Sequence, residues 1–559
     1  MKVMQNLDLV TLEYQSSQLP SSQHRAGLAG LILKIQWLQK QPEFKQSADA
    51  VCKIVDLDGC KVTLQFNHAG LTSLLKSHYS ASFEERESRK IRAKGTQNFR
   101  TIQREVYNAE TDKTELTTFY LYQDLVPQGW LVQSFEPPES DNQVWTKLWQ
   151  ETIWRVLRPR DLQRLPFKAM VSGNNPPEIE KIWKFLLYKP DGRIALSSTH
   201  MLGIQAKNNE GQKNYDLAKF YFLLNFWTYT SQVYLPITIN FKDELRLNGY
   251  AIVIPDVRNL EDFCTYFPLI LQQRDTKEIR GKPHSSIVHN SIEAGLKSMG
   301  LIHTYLSKIT PKRDLSDLLF GVDVFHIVRK KDEPQIRSIQ RYSPNLDAIE
   351  EFTQLQEKIF DRIFCLQYWQ NLIYDRPRIT GFDSIIRDLP SIKTIKNRWF
   401  CRDYRTVFHP KYNDMELEEI NEPISESEVG TLETRKSSIT KEISIESLVL
   451  RLLRKYIRHQ LKHQFGLEWN KEWDKKEYEI RRQDSGYQNY INKRQQIVRS
   501  LHFDFRRPRH PNEFLAYFSA KFTNTYQYIN TNEYLLIADK IKSQPEQIRI
   551  LCLLALPVL

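Results

Sequence analysis

"LPSSQHRAGLAGLILKIQWL", residues 19–38, sets a Gln-His-Arg triplet at the mouth of a small-residue and then aliphatic stretch. Pro20, Ser21 and Ser22 are helix start signals, and Leu28, Leu31, Ile35 and Leu38 recur at helical spacing, so the stretch predicts a helix that Pro42 stops. A helix this apolar must be buried. Gly27 and Gly30 lower helix propensity and carry no side chains, which assigns them to close approach of another backbone or of a ligand. Why cationic or titratable groups stand at the end of so apolar an element is the question the rest of the chain has to answer.

The chain has 559 residues, 41% of them hydrophobic, enough for two to four domains with real cores. Seventy-nine Lys and Arg against 67 Asp and Glu give a net charge of +12, which favours a polyanionic partner such as nucleic acid or an acidic membrane face. The six cysteines (Cys52, Cys60, Cys264, Cys365, Cys401, Cys552) are scattered without a C-x-x-C pair, the pattern of a reducing cytoplasm with no structural zinc. The first residues lack the apolar core of a signal peptide, and no run reaches the ~18 apolar residues of a membrane-spanning helix. A cytoplasmic protein is expected, with the tail "ILCLLALPVL" (550–559) docked as a terminus.

Up to about residue 340 helical and strand patterns mix. "AVCKIVDLDGCKVTLQF" (50–66) predicts a hairpin turning at Asp58-Gly59. Further strands are expected in "TTFYLYQDL", "GWLVQSF", "LNGYAIVIPDV", "GVDVFHIVRK" and "IRSIQRY", and helices in "DNQVWTKLWQETIWRVL", "PPEIEKIWKFLLY", "DLAKFYFLLNFWTY" and "HSSIVHNSIEAGLKSMGLIHTYL". That order gives an α+β fold class. Beyond it long amphipathic helices take over, interrupted at residues 412–436 by eight acidic and two basic residues with few large apolar groups. The expected organisation is a mixed α+β domain over 1–410, an acidic linker over 411–440 and an all-α helical bundle over 441–559, the last carrying 21 Lys and Arg against 13 Asp and Glu.

A search for catalytic chemistry is mostly negative. The chain has no G-x-x-x-x-G-K-[ST] loop, no G-x-G-x-x-G after a strand and no G-x-S-x-G elbow. His459 and His463 stand one helical turn apart, but the glutamate a zincin needs is missing and Lys462 lies between them. Asp56 and Asp58 fit the hairpin turn better than a metal site, and Asp256 and Asp323 lack an identifiable second carboxylate. No metal, cofactor or catalytic residue is assigned.

The basic stretches carry more. Residues 86–104, "RESRKIRAKGTQNFRTIQR", hold seven Lys/Arg and one acid, including Lys90, Arg92, Lys94 and Arg100, followed after Gly95 by the amides Gln97 and Asn98. Cations neutralise phosphates, while amides can pair with base edges and Phe99 can stack or wedge. The plain alternative is a solvated helix end. "SGNNPP" presents Asn174 and Asn175 in a polar turn that either contacts a groove or caps a helix. Arg451, Arg454, Lys455, Arg458 and Lys462 fall at steps of three, four and seven, forming one basic stripe opposite Leu450, Leu453, Ile457 and Leu461. "FRRPRHP" adds Arg506, Arg507 and Arg509.

With this plan in view, "LPSSQHRAGLAGLIL" resembles the signature of large subunits of type I CRISPR effector complexes, the Cascade of the I-B and Myxan branches, including those carried by CRISPR-associated transposons. The resemblance implies a non-catalytic DNA- and RNA-binding subunit of a ribonucleoprotein complex serving antiviral defence or RNA-guided transposition. Such a subunit contacts the crRNA 5′ handle beside backbone and handle-binding subunits. It recognises the protospacer-adjacent motif in double-stranded target DNA, helps open it and stabilises the R-loop with its displaced strand. A transposition adaptor or a helicase-nuclease would be a further partner. Guide pairing reads the sequence in such systems, and protein reads a short duplex element. Gln23, His24 and Arg25 would then lie near a nucleic-acid phosphate or hold the N-terminal domain together. Met415, in the acidic segment, would be the internal start of a separately made small subunit spanning 415–559. The competing readings are a nuclease or RNA-processing enzyme with a dispersed site, and a stand-alone single-strand binder.

Overall fold

In the computed structural model, which describes residues 8–88, 91, 99–108, 113–128, 135–138, 142–153, 156, 165–196, 200–204, 212–239, 245–310, 313–330, 333–382, 384–385, 398–408, 445–473, 483–508, 510–522 and 531–556, the chain mixes helix and strand. It forms two compact units, Met1–Ile349 and Glu350–Leu559. The division precedes the compositional break that the sequence offers; that acidic segment, residues 411–440 with Met415, lies outside the described residues.

The first unit is built round the opening stretch. Strand β1 (Leu9–Gln15) alternates out and in, burying Val10, Leu12 and Tyr14, and leads into helix α1 (Ser22–Leu38). Fourteen of the 17 residues of α1 are buried, Lys34 among them, so the helix is enclosed on nearly every side. Gly27 and Gly30 explain how. A Cβ at either would overlap a backbone carbonyl, that of Leu223 at Gly27 and that of Phe226 at Gly30, so the two glycines let another stretch of backbone lie directly against α1.

The expected hairpin is present as β2 (Cys52–Leu57) and β3 (Lys61–Asn67). At its turn Asp58 Oδ1 accepts both Cys60 N and Lys61 N at 2.7 Å, bonds that hold the carboxyl below its usual range. β3 pairs antiparallel with β1 (Leu12↔Leu64) and with β2, completing a three-stranded sheet. Helix α2 (His68–His78) follows, capped by the Asn67 side chain. Next come β4 (Ala81–Ser88), β5 (Phe99–Asn108) and β6 (Lys113–Pro127), an antiparallel ribbon with β6 in the middle.

Helices α3 (Val144–Thr152) and α4 (Glu178–Tyr188) lie within the stretches expected to form them. The core sheet then follows: β7 (Gln232–Ile239), β8 (Leu245–Leu247), β9 (Tyr250–Val257), β10 (Leu319–Lys330) and β11 (Glu333–Tyr342), in the order β8-β7-β9-β10-β11, with Ile287–Val288 added parallel to β7. Between β9 and β10 the chain forms α5 (Leu260–Leu271) and α6 (Ser291–Ile309). α1 and α6 both pack on β9.

Two expected helices are corrected. Residues 216–229 do not form one helix: a strand (Tyr215–Leu217), a short helix (Ala218–Leu223) and a 3-10 turn (Trp227–Tyr229) share the stretch. The break falls at the carbonyls of Leu223 and Phe226, where the backbone abuts Gly27 and Gly30, so tertiary approach overrides local periodicity. In 284–306 the helix begins only at Ser291, because Asn290 caps it by accepting Glu293 N at 2.9 Å.

In the second unit every described regular element is a helix. α7 (Arg362–Ile373) and α8 (Arg398–Phe408) enclose an aromatic cluster of Phe364, Tyr368, Phe382, Phe400, Tyr404 and Phe408. α9 (Ile445–Phe465), α10 (Ser485–Arg506), α11 (Pro511–Phe522) and α12 (Thr531–Ser543) all contact the tail helix α13 (Pro545–Ala555), where Ile548 and Leu551 to Ala555 are buried. No helix among the described residues is long and apolar enough to cross a membrane.

Candidate nucleic-acid interface

The head of α1 is occupied by protein groups. Gln23, 2% exposed, donates from Nε2 to the Leu202 carbonyl at 2.9 Å and accepts Leu202 N at 3.0 Å. His24 Nε2 meets Asp216 Oδ2 at 2.7 Å, and its Nδ1 lies 2.8 Å from Ser21 Oγ. Arg25 donates from Nε to Asp256 and from Nη1 to the Leu19 carbonyl at 2.9 Å. Asp256, on β9 and fully buried, also takes Arg341 of β11, and Arg341 reaches Asp323 of β10, which accepts the Ser22 hydroxyl. Carboxylates from three separate segments thus receive the polar end of the buried helix. Gln23, His24 and Arg25 are each hydrogen-bonded within the protein.

The ribbon is different. Along β5 and β6 successive pairs alternate faces: Phe99↔Tyr122 and Thr101↔Tyr120 on one, Arg100↔Leu121 and Ile102↔Phe119 on the other. Arg100, Gln103 and Arg104 are exposed. Arg104 pairs with Glu87 at 2.8 Å and Arg100 with Glu85 at 3.5 Å, solvent-facing contacts of small worth. Phe99 sits 5.3 Å from Tyr120 and 5.5 Å from Tyr122, ring centre to ring centre. Lys90, Arg92, Lys94, Gln97 and Asn98 lie outside the described residues, but their anchors do not: Ser88 pairs with Tyr120 and Phe99 with Tyr122, so both ends of the basic stretch are fixed two positions apart on β6. Asn174 and Asn175 are exposed. Their turn closes the preceding helix: Gly173 has φ +76°, its N–H donates to the Met170 carbonyl, and Asn174 N donates to the Ala169 carbonyl.

The stripe on α9 is sorted by its partners. Leu448, Leu452, Leu453, Ile457 and Leu461 face inward. Arg451 is ion-paired with the nearly buried Glu533, and Lys462 with Glu468 at 2.6 Å between two exposed side chains. Between them stand Arg454, Lys455 and Arg458. Burial and then the neighbouring Arg451 push the Lys455 ammonium below its usual range. Arg506 is half-buried at the end of α10, Arg507 is exposed, and Arg509 lies outside the described residues. Among the described residues no three His, Cys, Asp or Glu side chains converge where they could hold a metal ion.

Two family models match the chain in succession: the Type I-B CRISPR Cas8b N-terminal domain over residues 51–310, and the Type I-B CRISPR Cas8b C-terminal domain over residues 319–558. The chain belongs to the Cas8b family. It is therefore a large subunit of a type I-B CRISPR effector, a crRNA-guided complex with further subunits. No curated protein matches the sequence. The C-terminal Cas8b model begins at Leu319, the first residue of β10, so the sequence boundary between the two matches falls inside the core sheet of the first unit. Sequence reasoning missed the acceptors Asp216 and Glu533, and took Asp256 only as a carboxylate without a second one, not as the buried partner of Arg25 and Arg341. It also missed Arg341 and, on α10, Arg494. The only local signal for the acidic partners was a carboxylate at a strand or helix end, which turns supply equally well.

Proposed function

We propose that this Cas8b subunit works at the crRNA handle end of its complex as a reader and opener of duplex DNA, and performs no bond-breaking itself. The ribbon carries this reading. Its outer strands β4 and β5 fix both ends of the connection 89–98, which holds Arg89, Lys90, Arg92 and Lys94, and Arg100 and Arg104 stand exposed on β5, so that phosphate-neutralising cations and two amides are gathered at one end of the sheet. In this reading Arg92, Lys94, Arg100, Gln97 and Asn98 recognise the protospacer-adjacent motif, with Asn174 and Asn175 beside the duplex. Arg454, Lys455 and Arg458, with Arg506 and Arg507, steady the displaced strand of the R-loop. A product begun at Met415 supplies small subunits along the same complex. The hydrogen-bonded string Ser21–His24–Asp216 has the residue types of a hydrolase triad, but its imidazole is 1% exposed, and the string fastens α1.

The test is made in the assembled complex. Arg92→Ala, Lys94→Ala and Asn98→Ala together should weaken binding of motif-bearing duplex and leave the particle intact. Unchanged affinity would remove this stretch from the motif-reading role. Divalent-dependent cleavage of DNA or RNA by the isolated chain would overturn the non-catalytic reading. Met415→Leu should abolish a short product seen by mass spectrometry, and a wild-type preparation containing only full-length chain would discard the internal start.

A further inference from the structure

The exposed arginines of β5 are already held by acids from the far strand of the ribbon. Side chains at alternate positions share a face, and the register puts Glu85 and Glu87 of β4, Leu121 and Gln123 of β6, and Arg100, Ile102 and Arg104 of β5 on the same one. The charges meet across β6. Arg104 Nη1 donates to Glu87 Oε1 at 2.8 Å, and Arg100 Nη2 reaches Glu85 Oε2 at 3.5 Å. Gln123, on the middle strand, donates from Nε2 to the other oxygen of Glu85 at 3.2 Å.

Stability does not account for these pairs. The side chains are 69% and 48% exposed for Arg100 and Glu85, and 59% and 39% for Arg104 and Glu87, and ion pairs in that setting contribute little. The backbone ladder joins the strands without them, over Ala81–Ser88 on one side of β6 and Phe99–Asn108 on the other. Serine or threonine at 85 and 87 would suit an exposed strand equally well and leave both arginines free. Carboxylates there do something else. Glu85 and Glu87 stand two residues apart on one face, ~6.7 Å along the strand, close to the separation of successive phosphates on one nucleic-acid strand. The guanidinium fork accepts carboxylate and phosphate alike. A duplex that engages Arg100 and Arg104 has to displace the two glutamates first.

We propose that Glu85 and Glu87 are built-in competitors for duplex phosphate, holding Arg100 and Arg104 so that the ribbon grips DNA of arbitrary sequence weakly. This sets the selectivity of the duplex-reading site proposed above and rests on that reading. Phosphate contacts carry no sequence information, so weakening them raises the share of affinity that base edges and guide pairing supply. The probe is a fluorescein-labelled duplex without a match to the guide, titrated against the guide-loaded complex at several salt concentrations. Glu85→Gln with Glu87→Gln keeps side-chain size and releases both arginines. It should steepen the dependence of log affinity on log salt by up to about 1.8, from ~0.9 for each phosphate engaged, and tighten binding on the order of ten-fold at ~0.1 M salt. The melting temperature of the full chain should not change.

Two controls separate local competition from net charge. Glu43→Gln with Glu261→Gln removes two exposed acids outside the ribbon and should move the slope far less. Adding Arg100→Gln and Arg104→Gln to the ribbon variant should erase its gain. Unchanged affinity in the ribbon variant, a gain matched by the Glu43 and Glu261 control, or a gain that survives loss of both arginines would overturn the competition. So would a lower melting temperature, which would make the pairs structural. The duplex-reading role fails separately, through unchanged binding of motif-bearing duplex when Arg92, Lys94 and Asn98 are replaced by alanine.

Discussion

Arg25→Gln separates the two roles that the opening motif left open. Arg25 Nε donates to Asp256, a carboxylate with 1% of its side chain exposed, and Nη1 holds the Leu19 carbonyl at 2.9 Å. Removing one partner of a buried ion pair costs ~3–5 kcal/mol, because the remaining charge is stranded. Here Arg341 still faces Asp256, which places the cost at the lower end, about 3 kcal/mol, with the loss of a donor to Leu19 included. In a unit of this size that corresponds to a fall of roughly 5 °C in melting temperature. The assay is thermal unfolding of the full chain followed by near-ultraviolet dichroism, paired with salt-dependent binding of duplex DNA. Asp256→Asn in the same background tests the coupling, and the two losses should be far less than additive. Unchanged melting together with a shallower salt slope would refute the structural argument and make Arg25 a phosphate ligand.

Three further outcomes follow from single groups. Gly30→Ala would drive a methyl into the Phe226 carbonyl; the ~1 kcal/mol gained in helix propensity is outweighed by overpacking of ~3 kcal/mol, read as a lower denaturant midpoint. Asp403, fully buried and receiving Phe360 N and Asp361 N, has its carboxyl pushed up to about 6 by burial. The folded state therefore binds the proton more tightly than the unfolded one. The resulting stability is complete below the ordinary carboxylate range and lost as pH rises towards 6, and Asp403→Asn should flatten that stretch of the stability–pH curve. His502, 1% exposed with neither ring nitrogen hydrogen-bonded, is lowered to about 4 by burial and by Arg506. Its effect has the opposite sign: stability present above the ordinary imidazole value is lost as pH falls from there to about 4. His502→Leu should remove that loss and raise the unfolding free energy at neutral pH by ~1–3 kcal/mol, since a buried polar group without a partner is deleted; a lower unfolding free energy at neutral pH would show that the imidazole is satisfied.

The legible parts of the fold were those written locally. The β2–β3 turn rests on Asp58 and Gly59, which act within three residues, and α1 rests on an unbroken apolar run. What could not be read is set by distant chain. The break at 224–226 exists because α1 needs that backbone against Gly27 and Gly30. The caps of α6 and of the α1 head depend on the competition between an asparagine at 290 and continued helix, and on acids more than 190 residues away from His24 and Arg25. The candidate site shows the same division. Periodicity placed the α9 cations on one stripe, but it could not say that Glu533 takes Arg451 or that Arg494 arrives from α10.

That division bears on what a net charge of +12 means. Cations counted along the sequence fall into two physical classes. Arg25, Arg341 and Arg451 are joined to carboxylates that are at least nine-tenths buried, so dissolved salt screens them little. Arg458 and Arg494 crowd other arginines near the surface, where screening is strong. Raising ionic strength should therefore act in opposite directions on the same molecule. It relieves repulsion between α9 and α10, weakens exposed pairs such as Lys462–Glu468 by well under ~1 kcal/mol, and so leaves melting unchanged or higher. Over the same range it should cut nucleic-acid affinity steeply, because each phosphate contact releases counterions. A parallel loss of stability and binding with salt would mean that the cations which grip the polyanion are the ones that hold the fold, and the separation argued here would not stand.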